Sequence, residues 1–151
     1  KFLKNNFKIV CFGGGSFDKK EIDFFEKSGI NLNSVSQCQG SDDYLNQFYK
    51  NASLFVFPSI YEGFGIPIIE ALNMNCPVAC SNTDIFKEVG QNLVNYFDPL
   101  DESSIKKVME DTIVNIKNEK IKIDQNSKKL LELFSWEKCA KETNEVYKKL
   151  Y

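Results

Sequence analysis

The run Leu54-Phe55-Val56-Phe57 sets four apolar side chains in succession, with no polar residue to turn toward water. Successive side chains of a strand point to opposite faces, so such a run needs a sheet covered on both sides, as parallel sheets are. The surrounding chain supplies the helices for those layers. Phe7 to Phe12 is β-rich and stops at Gly13-Gly14-Gly15, and Asp18 with Glu21 forms a capping-box pattern that opens a helix over Lys19 to Ser28, closed by Gly29. A weaker strand is expected at Val35 to Cys38, then a helix at Asp42 to Asn51 with Ser41 as N-cap and Leu45, Phe48 and Tyr49 along one face. Pro67 stands in the first turn before a short helix over Ile68 to Asn75, where Asn75 can adopt the left-handed conformation. Val78 to Cys80 and Leu93 to Phe97 read as strands on either side of a short helix at Asp84 to Glu88. From Asp101 to Tyr151 the pattern is mostly helical, with a break expected near Glu119 to Asp124 and a restart at Ser135, the N-cap before Trp136-Glu137. The alternation predicts an α/β fold with a Rossmann-like parallel sheet in three layers, and 151 residues suffice for one such domain. Phe24, Phe25, Phe48, Phe55 and Phe57 are expected in its core.

All 19 basic residues are lysine, and the chain has no histidine. A Ser-His-Asp or Cys-His nucleophile, a His-ligated metal and a bidentate Arg clamp on phosphate are therefore unavailable within these residues. Any anion has to be held by lysine or by backbone N–H groups. The net charge of −2 is spread along the sequence without a basic stripe, so nucleic acid is not an expected partner. Lys106-Lys107 and Lys148-Lys149 read as solvated faces, the second pair, beside Tyr147 and Tyr151, also as a contact for another domain or an anionic membrane. Asp42-Asp43 lacks the spacing of a metal site and suits a helix N-terminus. Cys11, Cys38, Cys76, Cys80 and Cys139 form no C-x-x-C pair and read as free thiols, most of them small core residues, in a reducing compartment. Lys1 to Asn6 carries no apolar stretch of signal-peptide length, and no window has the length of a membrane span, so a cytoplasmic protein is expected.

The chemistry concentrates in Phe57-Pro58-Ser59-Ile60-Tyr61-Glu62-Gly63-Phe64-Gly65-Ile66-Pro67-Ile68-Ile69-Glu70. This segment leaves the carboxyl end of a buried strand and opens a helix, the place where ligands bind in open α/β sheets. Gly63 and Gly65 permit close backbone approach, and the N–H groups of Phe64, Gly65 and Ile66 at the helix start suit an anion or hydroxyls. Glu62 and Glu70, eight residues apart, offer ionised oxygens that accept hydrogen bonds from the vicinal hydroxyls of a sugar. In isolation, two acids near a helix start are solvated surface groups; the flanking glycines and Pro67 favour a binding site. Gly13-Gly14-Gly15 does not complete G-x-G-x-x-G, because Asp18 stands at the third position, and reads as a turn.

The segment resembles the Glu-(seven residues)-Glu signature of the family 4 glycosyltransferases, the "glycosyl transferases group 1". Ser41-Asp42-Asp43-Tyr44-Leu45, Tyr49-Lys50-Asn51-Ala52, Cys76-Pro77-Val78, Ser81-Asn82, Glu88-Val89-Gly90, Phe97-Asp98-Pro99 and Phe134-Ser135-Trp136 also fall at family-like places. The resemblance implies the C-terminal, donor-binding half of a GT-B fold and a retaining, metal-independent transfer from a nucleoside-diphosphate sugar, without a further cofactor. It implies that Glu62, the catalytic candidate, contacts the donor sugar, that Gly63, Phe64, Gly65 and Ile66 surround sugar and diphosphate, that Glu70 holds the ribose diol, and that Gln39 and Gly40 lie against the base. It further implies a glycan or lipid-linked acceptor bound by an N-terminal domain, and peripheral membrane contact of a bacterial enzyme of cell-surface polysaccharide synthesis.

Two departures stand out. Asn75 replaces a usual glycine, a mild change because Asn tolerates the same backbone conformation. Compared with the family pattern, the sequence starts one strand and one helix late, without the Arg and Lys that meet the diphosphate and without the acceptor domain, so the isolated chain is expected to be inactive. The competing reading is a non-catalytic nucleotide-sugar-binding or assembly module. A sugar-nucleotide epimerase is disfavoured by the missing histidine and by the Glu62 to Glu70 segment.

Overall fold

The computed structural model describes residues 7–150. Lys1 to Asn6, the stretch without signal-peptide character, and Tyr151, the neighbour of Lys148-Lys149 in sequence, lie outside the described residues. The chain divides into two compact units, one ending at Gln47 and the other beginning at Phe48.

In the first unit, β1 (Ile9–Phe12) and β2 (Val35–Cys38) pair in parallel, with Ile9 opposite Val35 and Phe12 opposite Cys38. Between them runs α1 (Lys19–Lys27), opened by the expected capping box: Glu21 N donates to Asp18 Oδ1 and Asp18 N to Glu21 Oε2, each at 2.8 Å. Gly29, at φ +64, closes the helix, with Ile30 N donating to Phe25 O at 2.9 Å. A single 3-10 turn, Leu32–Ser34, leads into β2. Phe25 meets Phe17 edge-on, but Phe24, whose ring centroid lies 6.3 Å from that of Phe25, is 64% exposed. The expectation of Phe24 as core is therefore corrected. It neighbours Phe25 in sequence, a step of about 100° around a helix axis, so the two cannot share one narrow face. Ile9 and Val10 are also exposed, so β1 is not covered on both sides as its apolar run suggested.

α2 (Asp42–Asn51) starts and stops as read from the sequence and carries the chain across the boundary. The second unit then builds a parallel sheet in the order β3 (Phe55–Phe57), β4 (Val78–Ser81), β5 (Asn95–Phe97), with Phe55 opposite Val78 and Ala79 opposite Asn95. α3 (Ile66–Asn73) joins β3 to β4, and α4 (Asp84–Gly90) joins β4 to β5. α5 (Glu102–Val114) packs on β4 and β5, α6 (Ile116–Leu133) packs on α3, and α7 (Trp136–Leu150) ends the described chain. Every residue of β4 is buried, as a central strand between two layers requires. Apart from Val35, the buried apolar residues among those described all fall in this unit, with Ile68, Leu72, Phe86, Val89, Leu93 and Phe97 among its largest closed side chains.

The expected break near Glu119 to Asp124 is absent. α6 runs through it, with Ile123 and Leu130 buried seven residues apart on one face and Lys122 paired at 2.6 Å to Glu119, one turn before Ile123. The interruption falls instead at Asn115, whose side-chain amide donates to Asp111 O at 2.9 Å as α5 ends. α3 starts at Ile66, two residues earlier than expected, which puts Pro67 inside its first turn. Asn75 follows that helix at φ +54, the left-handed conformation anticipated for it. All five cysteines are free; Cys76 and Cys80 are core residues, whereas Cys139 is exposed and Cys11 and Cys38 are half-buried.

Candidate functional site

β3 ends at Phe57, and the loop that follows carries Glu62 to the start of α3, at the carboxyl edge of the β3–β4–β5 sheet. The loop is fixed by its own side chains. Ser59 Oγ donates to Glu62 Oε1 at 3.0 Å, with the Tyr61 carbonyl at 3.2 Å as a second acceptor. Tyr61 itself is 91% exposed.

Gly65 is the N-cap of α3 at φ +96, a left-handed conformation that strains any other L-residue. Ile68 N donates to its carbonyl at 3.0 Å, tightening the first turn. A Cβ added at Gly65 would lie 3.0 Å from Phe86 Cε1, so the close approach that demands this glycine is to Phe86. Gly63 has no such neighbour; a Cβ there meets open space. Among the described residues the N–H groups of Phe64, Gly65 and Ile66 find no acceptor, as expected at a helix start without a side-chain cap. The Phe64 ring leans edge-on against Phe134, 5.4 Å away.

Glu70 lies in the second turn of α3, half-buried, and its Oε2 accepts a hydrogen bond from the Tyr49 hydroxyl at 3.3 Å. Tyr49 is buried against Phe55, ring edge to ring face at 5.2 Å. Burial, then the charge of Glu70 and the hydrogen bond to it, pushes the Tyr49 hydroxyl far above its ordinary range, so it stays a donor. Glu62, Gly63, Phe64, Gly65, Ile66 and Glu70 thus stand together on one loop and helix start of the second unit.

Gln39 and Gly40 belong to the first unit. The Gln39 side-chain amide donates to the Gly14 carbonyl, while Gln37 Nε2 donates to Gly13 O at 2.6 Å, so the glycine loop after β1 is tied to β2 and the residues that follow it. Gly13 and Gly14 both have positive φ and open space where a Cβ would stand, in keeping with a turn. Gly40 is covered by Tyr44, whose Cδ1 stands 2.5 Å from where a Cβ would be. Lys106 and Lys107 are solvated, as are Lys148 and Lys149 at the end of α7, where Lys148 pairs with Glu145 at 3.0 Å.

Two participants were missed in the sequence, Ser59 and Tyr49. Ser59-x-x-Glu62 has the spacing of a capping box, and that pattern was the available signal, although here it closes a loop rather than a helix. Tyr49 was read only as one of the apolar residues of a helix face; its hydroxyl partner lies 21 residues away. Among the described residues no group of three or more acidic or cysteine side chains gathers as metal ligands, and no helix is long and apolar enough to cross a membrane.

The family model "Glycosyl transferases group 1" matches residues 1–130. The chain belongs to that family. Among its group 1 relatives, the O-antigen chain mannosyltransferase B of Escherichia coli is 35% identical over 109 residues, covering 72% of this chain and 28% of that protein. An O-antigen chain mannosyltransferase of Salmonella typhimurium is 48% identical over 60 residues, covering 40% of this chain and 17% of its own length. An uncharacterized glycosyltransferase of Methanocaldococcus jannaschii is 29% identical over 147 residues, 96% of this chain and 38% of the other. The chain therefore spans well under half of these curated relatives. Of solved structures, sucrose-phosphate synthase from Thermosynechococcus elongatus superposes with a TM-score of 0.80 at 21% identity, over 95% of this chain and 38% of that one. A glycosyltransferase from Rickettsia africae does so with 0.75 at 20% identity, over 95% and 40%. At these identities the likeness concerns the fold: a Rossmann-like α/β arrangement of parallel strands, as in the GT-B glycosyltransferases. In this group 1 domain the Glu62 to Glu70 segment occupies the strand-to-helix junction at the sheet's carboxyl edge, where α/β folds receive their ligands.

Proposed function

We propose that this chain is the donor-binding part of a retaining, metal-independent glycosyltransferase that moves a sugar from a nucleoside-diphosphate sugar to a glycan or lipid-linked acceptor. The observation that carries the reading is the pair of anchored carboxylates, Glu62 held by Ser59 and Glu70 held by Tyr49, on either side of the unpaired N–H groups of Phe64, Gly65 and Ile66. Glu62 contacts the donor hexose, with Gly63 leaving room beside it. The N–H groups face sugar and diphosphate, and Glu70 accepts from the ribose hydroxyls. As the bond to the sugar breaks, negative charge grows on the leaving diphosphate, and preorganised N–H dipoles at the start of α3 stabilise it without a metal or other cofactor.

The names of the bacterial relatives put mannosyl donors first to test and O-antigen-like polysaccharide first among products. Because the chain covers 28%, 38% and 42% of the first three curated relatives, acceptor binding and transfer are assigned to the whole enzyme, and the isolated chain is expected to bind donor without transferring it. Contact of the whole enzyme with the cytoplasmic face of a membrane is assigned to the end of α7, where Tyr147 and Leu150 are exposed beside Lys148 and Lys149.

The test is calorimetric titration with UDP, GDP, ADP and their sugar conjugates, with and without EDTA, using Glu70→Ala as control. Selective binding that survives EDTA and is lost in the variant supports the reading. Equal, weak binding of all nucleotides by both proteins would sink it.

A further inference from the structure

Four aromatic rings run in a row through the second unit. Tyr49 meets Phe55 edge-on at 5.2 Å, Phe55 stacks on Phe57 at 5.7 Å, and Phe57 lies 5.1 Å from Phe86. Phe55 and Phe57 share one face of β3, being two residues apart in a strand. The row ends at the two halves of the donor segment: the Tyr49 hydroxyl bonds Glu70, and the Phe86 ring fills the space beneath Gly65. Side chains packed on both flanks have little rotamer freedom, so the hydroxyl at one end is held in place relative to the turn at the other.

A carboxylate in the second turn of a helix otherwise swings among several rotamers and has to be ordered when a ligand binds. Glu70 has one oxygen, Oε2, taken by Tyr49, and no protein partner is found at Oε1 among the described residues. We propose that Tyr49 is a positioning residue of the donor site, donating to Glu70 Oε2 so that Oε1 is presented to the vicinal diol of the nucleotide's ribose. The inference rests on the function proposed above and deepens it: the diol specificity of the site is set by a tyrosine that does not touch the ligand.

Tyr49→Phe keeps the ring and its packing and removes the hydrogen bond alone. Affinities of this variant and the unmodified chain would be measured for a nucleoside diphosphate and for its 2′-deoxy counterpart, beside Glu70→Gln. Tyr49→Phe is expected to weaken the ribonucleotide roughly fivefold to tenfold, the size of one ordinary hydrogen bond, and to leave the deoxynucleotide nearly unchanged. The discrimination between the two sugars then collapses toward that of Glu70→Gln. A purely structural tyrosine would weaken both ligands equally, and that result overturns the inference, as does an unchanged discrimination ratio. If the unmodified chain shows no ribose preference, or Glu70→Gln does not reduce it, the proposed function fails together with the inference.

Discussion

The Phe86 ring and the α-carbon of Gly65 are packed so closely that a methyl group at position 65 would sit 3.0 Å from Cε1 and 3.1 Å from Cδ1 of the ring. Gly65→Ala therefore meets two penalties, the left-handed backbone at φ +96 and an overlap with a side chain that is itself fully buried. The expected cost is roughly 2–3 kcal/mol of folding free energy. Urea denaturation measures it. A midpoint equal to that of the unmodified chain would show that α3 can begin without this conformation.

Asn75 holds the same left-handed region with a side chain attached, and its Oδ1 is buried without a hydrogen-bond donor. Asn75→Gly removes both the backbone strain and the unsatisfied oxygen. It should raise stability by about 0.5–1 kcal/mol, somewhat offset by the greater freedom of glycine in the unfolded chain. A lowered thermal midpoint would contradict this account of the α3 terminus.

Alkali should loosen the core of the second unit. Burial pushes the Cys76 thiol up to about 11 and that of Cys80 up to about 12, from a starting value of 9.0, while Tyr49 and Tyr96 are displaced upward too, chiefly by burial. Groups whose folded values are raised bind protons more tightly folded than unfolded. Their stabilisation is complete below their unfolded values, near 9 for the thiols, and is lost as the pH climbs through the folded ones. Urea midpoints compared at pH 8, 9.5 and 11 should fall along the series, and Cys80→Ala should fall less steeply. A flat series would refute the assignment.

Ser59 gives a kinetic prediction for the whole enzyme. Ser59→Ala releases Glu62 Oε1 from its 3.0 Å partner without touching Glu70 or the helix start. We expect the turnover number to fall by about tenfold and nucleoside-diphosphate affinity to hold, whereas Glu62→Gln should lower turnover by about a hundredfold or more. Steady-state transfer assays beside nucleotide titration separate the two effects. Equal losses of turnover and affinity in Ser59→Ala would argue that the hydroxyl shapes the loop as a whole.

The sequence was most readable where local rules decide the outcome. The capping box at Asp18 and Glu21, the strand Val35–Cys38, the helix Asp42–Asn51 and the left-handed Asn75 all depend on neighbours within a few residues, and all are found. It misled where distant packing decides. A break is expected near Glu119 to Asp124, yet α6 continues through it with Ile123 and Leu130 buried. Phe24 reads as core from its aromatic neighbours, yet no residue of α1 is buried and Phe24 stays exposed. For the candidate site, the loop, its glycines and both carboxylates were legible as types at a spacing. What was not legible was who holds them: Ser59 has a local pattern that was overlooked, and Tyr49 meets Glu70 only after the chain has crossed β3 and come back along α3.

In the second unit the strands stand beside one another in the order in which they leave the chain. Phe55 meets Val78 after 23 residues, and Ala79 meets Asn95 after 16. Short closures of this kind cost little chain entropy and favour rapid assembly. The register of the ladder carrying the Glu62 to Glu70 segment is set between β3 and β4 alone, with no residue of α5, α6 or α7 in the pairing. The segment that holds both carboxylates is thus spanned by one of these short closures, the 23 residues between Phe55 and Val78.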